Sequence, residues 1–127
     1  MASGYPDYLD WPSRSAAGSD VTSYSFSGSI AGESTSYFDL PAVETGFENI
    51  YQCVAISCND DSAIHNLTLQ RVSDGWIFFE INFINGGIFD FPGQSIGAGQ
   101  TVRVYATNNS ASALTFEGSV FYTSRRI

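Results

Sequence analysis

The sequence predicts an all-β fold: an antiparallel sandwich of about eight strands, jelly-roll-like, with an extended N-terminal arm. Three observations carry this. Apolar and polar residues alternate with the period of two that a half-buried strand requires, most cleanly over Ser23 to Ile30. Breakers recur at intervals of roughly 8–12 residues, the spacing of a sandwich or barrel. No stretch sustains the 3.6-residue period of a helix. The division that follows is an arm over 1–20 and a sandwich over 21–127.

Residues 1–20, MASGYPDYLDWPSRSAAGSD, hold two prolines and the widely spaced Tyr5, Tyr8, Leu9 and Trp11, with neither period sustained. A segment this rich in large aromatics reads as an arm docked on a neighbouring subunit, with packing on its own domain as the alternative. Fully extended, it reaches roughly 65 Å. Ser23 to Ile30 places Tyr24, Phe26 and Ile30 inward and serines outward. Ser36 to Leu40 is a short strand stopped by Pro41. Asn49 to Ser57 groups Ile50, Val54 and Ile56 on one face and Tyr51, Cys53 and Ala55 on the other, as in a central strand. Asn59-Asp60-Asp61-Ser62 is a turn cluster, and Asn66 to Val72 alternates again.

Ser73-Asp74-Gly75 turns the chain into Trp76 to Phe83, the most apolar strand. Asn85-Gly86-Gly87 leads into Ile88 to Phe91, which Pro92-Gly93 is expected to end. Thr101 to Ala106 points Val102 and Val104 inward. Thr107 to Ser112 reads as a hairpin loop into the closing strand, Ala113 to Thr123.

The chain has 127 residues, enough for one domain that buries about two thirds of its extended surface. Aromatics make up 15% of it, too many for a disordered chain, while charged residues are only 14%. Thirteen acids face five arginines and no lysine, for a net charge of −8. A nucleic-acid partner needs a cationic face to displace counterions, and an anionic membrane surface attracts basic segments, so neither partner is expected. The longest apolar runs are too short to span a bilayer. The first twenty residues hold one Arg and no apolar h-region, so no signal peptide is expected.

Few constellations suggest chemistry, and no catalytic, cofactor-binding or metal-ligating set is expected. His65, the single histidine, has no nucleophile elbow around it and reads as a surface or hydrogen-bonding residue. Glu80 interrupts an apolar run; with Phe79 and Ile81 on one side, it shares the other with Phe78. A carboxylate among aromatics has its pKa raised, but an interface acid paired with Arg is the commoner outcome. Cys53 and Cys58 read as free thiols, with a local disulfide as the alternative. Asn59-Asp60-Asp61 offers oxygen ligands without EF-hand spacing. Asn66-Leu67-Thr68 and Asn108-Asn109-Ser110 match the glycosylation sequon. Gly97-Ala98-Gly99 precedes a strand, so it is no phosphate cradle. Arg125 and Arg126 end the last strand, as an ion-pair anchor for a second chain or as a solvated terminus.

With its arm 1–20, the run Ile96-Gly97-Ala98-Gly99-Gln100-Thr101-Val102-Arg103-Val104-Tyr105-Ala106 and the closing strand 113–123, the chain resembles the cement or decoration proteins of tailed-phage capsids. The resemblance is one of architecture over the whole chain. It implies a non-enzymatic virion protein seated on the shell, often as a homo-oligomeric trimer, whose arms staple neighbouring major capsid subunits. Tyr5, Tyr8, Leu9 and Trp11 would then be the partner-binding anchors, because aromatics dominate interface hot spots; Arg125 and Arg126 would be secondary. A neck or tail attachment component is a second virion reading. A carbohydrate-binding module is a third, with Trp76 or Tyr105 stacking on sugar, and Trp11 if the arm folds back; it needs an exposed, coplanar aromatic pair.

Overall fold

A computed structural model describes residues 21–127. These form β1 (Val21–Ile30), β2 (Ser34–Asp39), β3 (Phe47–Ser57), β4 (His65–Arg71), β5 (Trp76–Phe83), β6 (Gly86–Ile96), β7 (Val102–Asn108) and β8 (Leu114–Arg126). The strands make two antiparallel sheets, in the orders β1-β8-β3-β6 (sheet I) and β2-β7-β4-β5 (sheet II). The pairs β1–β8, β2–β7, β3–β6 and β4–β5 are nested: the chain folds back on itself about the β4–β5 turn, and apart from that pair successive strands alternate between sheets. This is the order of a jelly roll, so the expected sandwich class holds. The proposed arm, residues 1–20, lies outside the described residues.

The inward positions of both sheets meet in one core. Val54, Leu67, Leu69, Ile96, Val104, Phe116 and Val120 are wholly buried in it. Strand β7 shows the cause most plainly: Val102, Val104, Ala106 and Asn108 point in, while Arg103, Tyr105 and Thr107 point out. Burying each large aliphatic side chain here stabilises the fold by about 1.5–3 kcal/mol before chain entropy is counted.

Four details differ from the sequence expectation. First, an extra residue at Gln52 shifts the register of β3 between Tyr51 and Cys53. Asn49 and Tyr51 therefore share the inward face with Val54 and Ile56, and Ile50 is turned away from it. A bulge of one residue reverses the alternation beyond it. Second, a bulge at Phe78 does the same in β5: Phe78 packs on the core, 6.3 Å from the Tyr51 ring, and leaves Glu80 exposed without it.

Third, β6 runs through Pro92-Gly93 to Ile96. Proline lacks an N–H, but β6 is an edge strand and Pro92 falls in an irregular stretch between Asp90 and Gln94, where no ladder bond is required of it. Fourth, residues after β7 make no hairpin, because β7 and β8 lie in different sheets. The buried Asn108 makes the crossing. Its amide donates to the carbonyls of Ile30 and Ser112 (both 2.9 Å), and its oxygen accepts from the Ser110 N–H and hydroxyl. All of its side-chain polar groups are thereby satisfied.

Candidate interaction surfaces

The two outer faces differ in what covers them. On sheet II the outward rows are Thr35–Thr107–Asn66–Asn82, Tyr37–Tyr105–Thr68–Glu80 and Asp39–Arg103–Gln70–Ile77. Their side chains bond one another. Thr35 and Thr107 share a hydrogen bond of 2.8 Å, and the Asn66 amide donates to Glu80 (3.0 Å) and Asn82 (2.9 Å). The Arg103 guanidinium grips Asp39 with two hydrogen bonds and lies 3.8 Å from the centre of the Tyr37 ring. The Arg103 bonds hold the Asp39 carboxyl below its usual range.

On sheet I the outward rows are Ser27–Glu117–Ser57–Gly86 and Ser25–Ser119–Ala55–Ile88. Apart from Glu117 and Ile88, none of these exceeds serine in size. The result is an open trough of about 560 Å³ across the middle of the sheet. Its floor includes Gly118, where a Cβ would strike the Ala55 carbonyl and lie 3.0 Å from the Phe26 ring. Ile88 forms a wall on the edge strand and is 74% exposed.

The open side between β5 and β6 carries an aromatic cluster. Phe79 and Phe91 stack with centroids 4.5 Å apart, Phe78 bridges Phe91 and Trp76, and Trp76 is 40% exposed at the rim. Arg71 lies 4.9 Å over the Trp76 ring and is itself held by Asp74, whose pKa is drawn down to about 2 chiefly by that hydrogen bond. Trp76 is thus available at a surface, but one of its faces has an arginine neighbour. Tyr37 and Tyr105 are 5.8 Å apart and tilted by 44°, which is not a coplanar sugar platform.

The remaining singled-out residues take structural positions. His65 is fully buried, and its Nδ1 accepts the Asn109 N–H (3.2 Å). A backbone N–H only donates, so the proton sits on Nε2, which donates to Asp60 (3.0 Å). The imidazole is therefore consumed in tying two loops together, reinforced by the bond from Asn109 Nδ2 to the Ile64 carbonyl. Asp60 is also bonded by Ser62, which with His65 lowers its pKa. Among the described residues no group of three or more His, Cys, Asp or Glu is arranged to hold a metal. Cys53 and Cys58 are free thiols; burial, and for Cys53 also Asp90, raises their pKa and keeps them protonated at neutral pH. Among the described residues no helix is long and apolar enough to cross a membrane.

Of the expected partner-binding residues, Arg125 and Arg126 lie exposed at the end of β8. Arg125 pairs with Glu48 of β3, and Arg126 lies 4.9 Å over the Phe47 ring. Ser95 and then Arg125 hold the Glu48 carboxyl below its usual range. Both arginines therefore have partners within their own chain. Tyr5, Tyr8, Leu9 and Trp11 lie outside the described residues. The trough escaped the sequence reading, which found the outward serines of β1 but had no register to set them beside Ala55, Ser57 and Ser119.

No protein-family model matches the chain, and no curated protein matches it in sequence. Solved structures do. The chain is similar to a chain of a Bacillus endospore appendage, a family of disulfide-linked pili, with 12% identity, coverage of 94% of this chain and 99% of that one, and a TM-score of 0.48. It is also similar to a chain of the cyanophage Pam1 capsid asymmetric unit, with 15% identity, coverage of 94% of each chain and a TM-score of 0.54. At that identity the likeness is one of fold: this chain shares a jelly-roll architecture with a phage-capsid chain across nearly the whole of both.

Proposed function

We propose that the protein is a non-enzymatic structural component of a virion, a cement or decoration protein that binds the outer shell. In this reading it is a homo-oligomer, with a trimer favoured, that staples neighbouring major capsid subunits through the arm 1–20 and the sandwich. The observation that carries the reading is the end-to-end fold correspondence with a phage-capsid chain, 94% of each chain. The surfaces support it: Ile88, Trp76 and Ile77 are exposed on edge strands, where apolar side chains beside unpaired backbone favour association with another chain. A protein meeting many copies of its partner on one shell gains from avidity, so modest contacts suffice. The five arginines against thirteen acids support partners that are protein rather than nucleic acid.

The test is sedimentation of the chain in extracts of its native source, followed by mass spectrometry. Co-migration with a megadalton particle is the expected result; a free species of one to three chains overturns the proposal. Deleting residues 1–20 is expected to leave the sandwich folded and abolish that co-migration. If the deletion mutant instead yields intact heads that lack tails, the chain belongs to the neck or tail.

A further inference from the structure

The trough on sheet I and the aromatic residues of the N-terminal segment have matching properties. The trough is a concavity over bare backbone, made by Ser25, Ser27, Ala55, Ser57 and Ser119, with an apolar wall at Ile88. Tyr5, Tyr8 and Trp11 supply bulky, apolar, rigid side chains of the kind such a concavity takes. The charges match as well. Glu117 is the only charged side chain among the described residues lining the trough. Arg14, three residues beyond Trp11, is the one side-chain cation of residues 1–20.

The reach also fits. Val21 begins β1 at the edge of sheet I, and Ser25 and Ser27 lie four and six residues further along that strand, a distance of about 13–20 Å. The nine residues between Trp11 and Val21, PSRSAAGSD, are mostly small and polar. A flexible linker of that length has a root-mean-square span of roughly 16 Å. Effective concentration is greatest when linker span matches site separation, and reaches the millimolar range.

We propose that in the free protein the trough is occupied by the segment Tyr5–Trp11 of the same chain, with Arg14 toward Glu117. The arm is then parked on its own sandwich and must leave the trough before it binds anything else. The inference concerns the uncomplexed chain, so it stands or falls separately from the assignment to a virion.

Trp11 and Trp76 are the two tryptophans, so the full-length Trp76→Phe protein reports Trp11 alone. Its emission is expected to be blue-shifted and at least about twofold less quenchable by acrylamide than a free indole, independently of protein concentration. Adding Ile88→Asp, at an exposed position that leaves the core untouched, is expected to abolish the protection; Glu117→Lys is expected to weaken it. Circular dichroism and melting establish that each variant is folded. A fully quenchable Trp11 in the parent overturns the proposal. So does protection that survives both Ile88→Asp and Glu117→Lys. Protection that grows with protein concentration also overturns it, and assigns the trough to the arm of a second copy.

Discussion

The outer faces of the two sheets have the same number of strands and opposite surfaces. Sheet II spends its outward side chains on one another: Arg103 on Asp39 and Tyr37, Asn66 on Glu80 and Asn82, Thr35 on Thr107. Among the described residues, sheet I leaves its middle bare, with one hydroxyl pair, Ser25–Ser119 at 2.9 Å, spanning β1 and β8. A face whose polar groups are already partnered offers a newcomer little, since every new bond replaces an old one. A concave face of small residues offers volume and exposed backbone edges. The difference separates a face built for the monomer's own stability from one that accepts an occupant.

Substitutions sharpen this contrast, the largest effect coming from the floor of the trough. Gly118→Val forces a side chain against the Ala55 carbonyl and the Phe26 ring, and is expected to cost about 3 kcal/mol in denaturant melts, at the upper end of overpacking. On sheet II, Tyr105→Ala removes the ring paired with Tyr37 and is expected to cost about 1 kcal/mol beyond the area lost. A double-mutant cycle with Tyr37→Ala isolates that interaction, and a coupling of zero contradicts the picture of a self-bonded face.

Acid tests the ion pairs that Arg103 and Arg71 make. Folding lowers the pKa of Asp39 through Arg103, and of Asp74 to about 2 through Arg71. A carboxyl with a depressed folded pKa adds stability that is fully present above its unfolded value, near 4, and lost as pH falls toward 2. Melting temperature is therefore expected to fall over that window. The decline should be shallower in Asp39→Asn, whose pair with Arg103 is already gone, and reduced in high salt because both pairs are largely exposed. The smallest effect belongs to the trough itself: Ser119→Thr adds one methyl to open space and is expected to stay within about 0.5 kcal/mol of the parent in stability.

Much of the fold was legible because alternation is a local property. Tyr24, Phe26 and Ile30 inward, or Val102 and Val104 inward, follow from the order of residues alone. The bulges at Gln52 and Phe78 were not legible, since either residue would serve in a regular strand and only pairing with β8 and β4 shows the extra residue. Pro92 misled for a related reason: it excludes a central strand, and nothing local says that β6 is an edge. Of the candidate sites, His65 was read as a surface or hydrogen-bonding residue. The hydrogen bonds are there, but the ring is fully buried, because its partners Asp60 and Asn109 come from two different loops that close over it. The trough depends on four strands being neighbours, which no single stretch of sequence records.

The nested pairing has a consequence for synthesis. Strand β8 sits between β1 and β3, yet it is the last of the eight described strands to leave the ribosome. Until residues 114–126 emerge, β1 has no neighbour within its sheet, and β3 is paired on one side only. Sheet II can be completed as soon as β7 is out, so the self-bonded face is finished first. The face that accepts an occupant exists only once β8 has emerged. A nascent chain therefore cannot present its trough before the whole sandwich is available to support it.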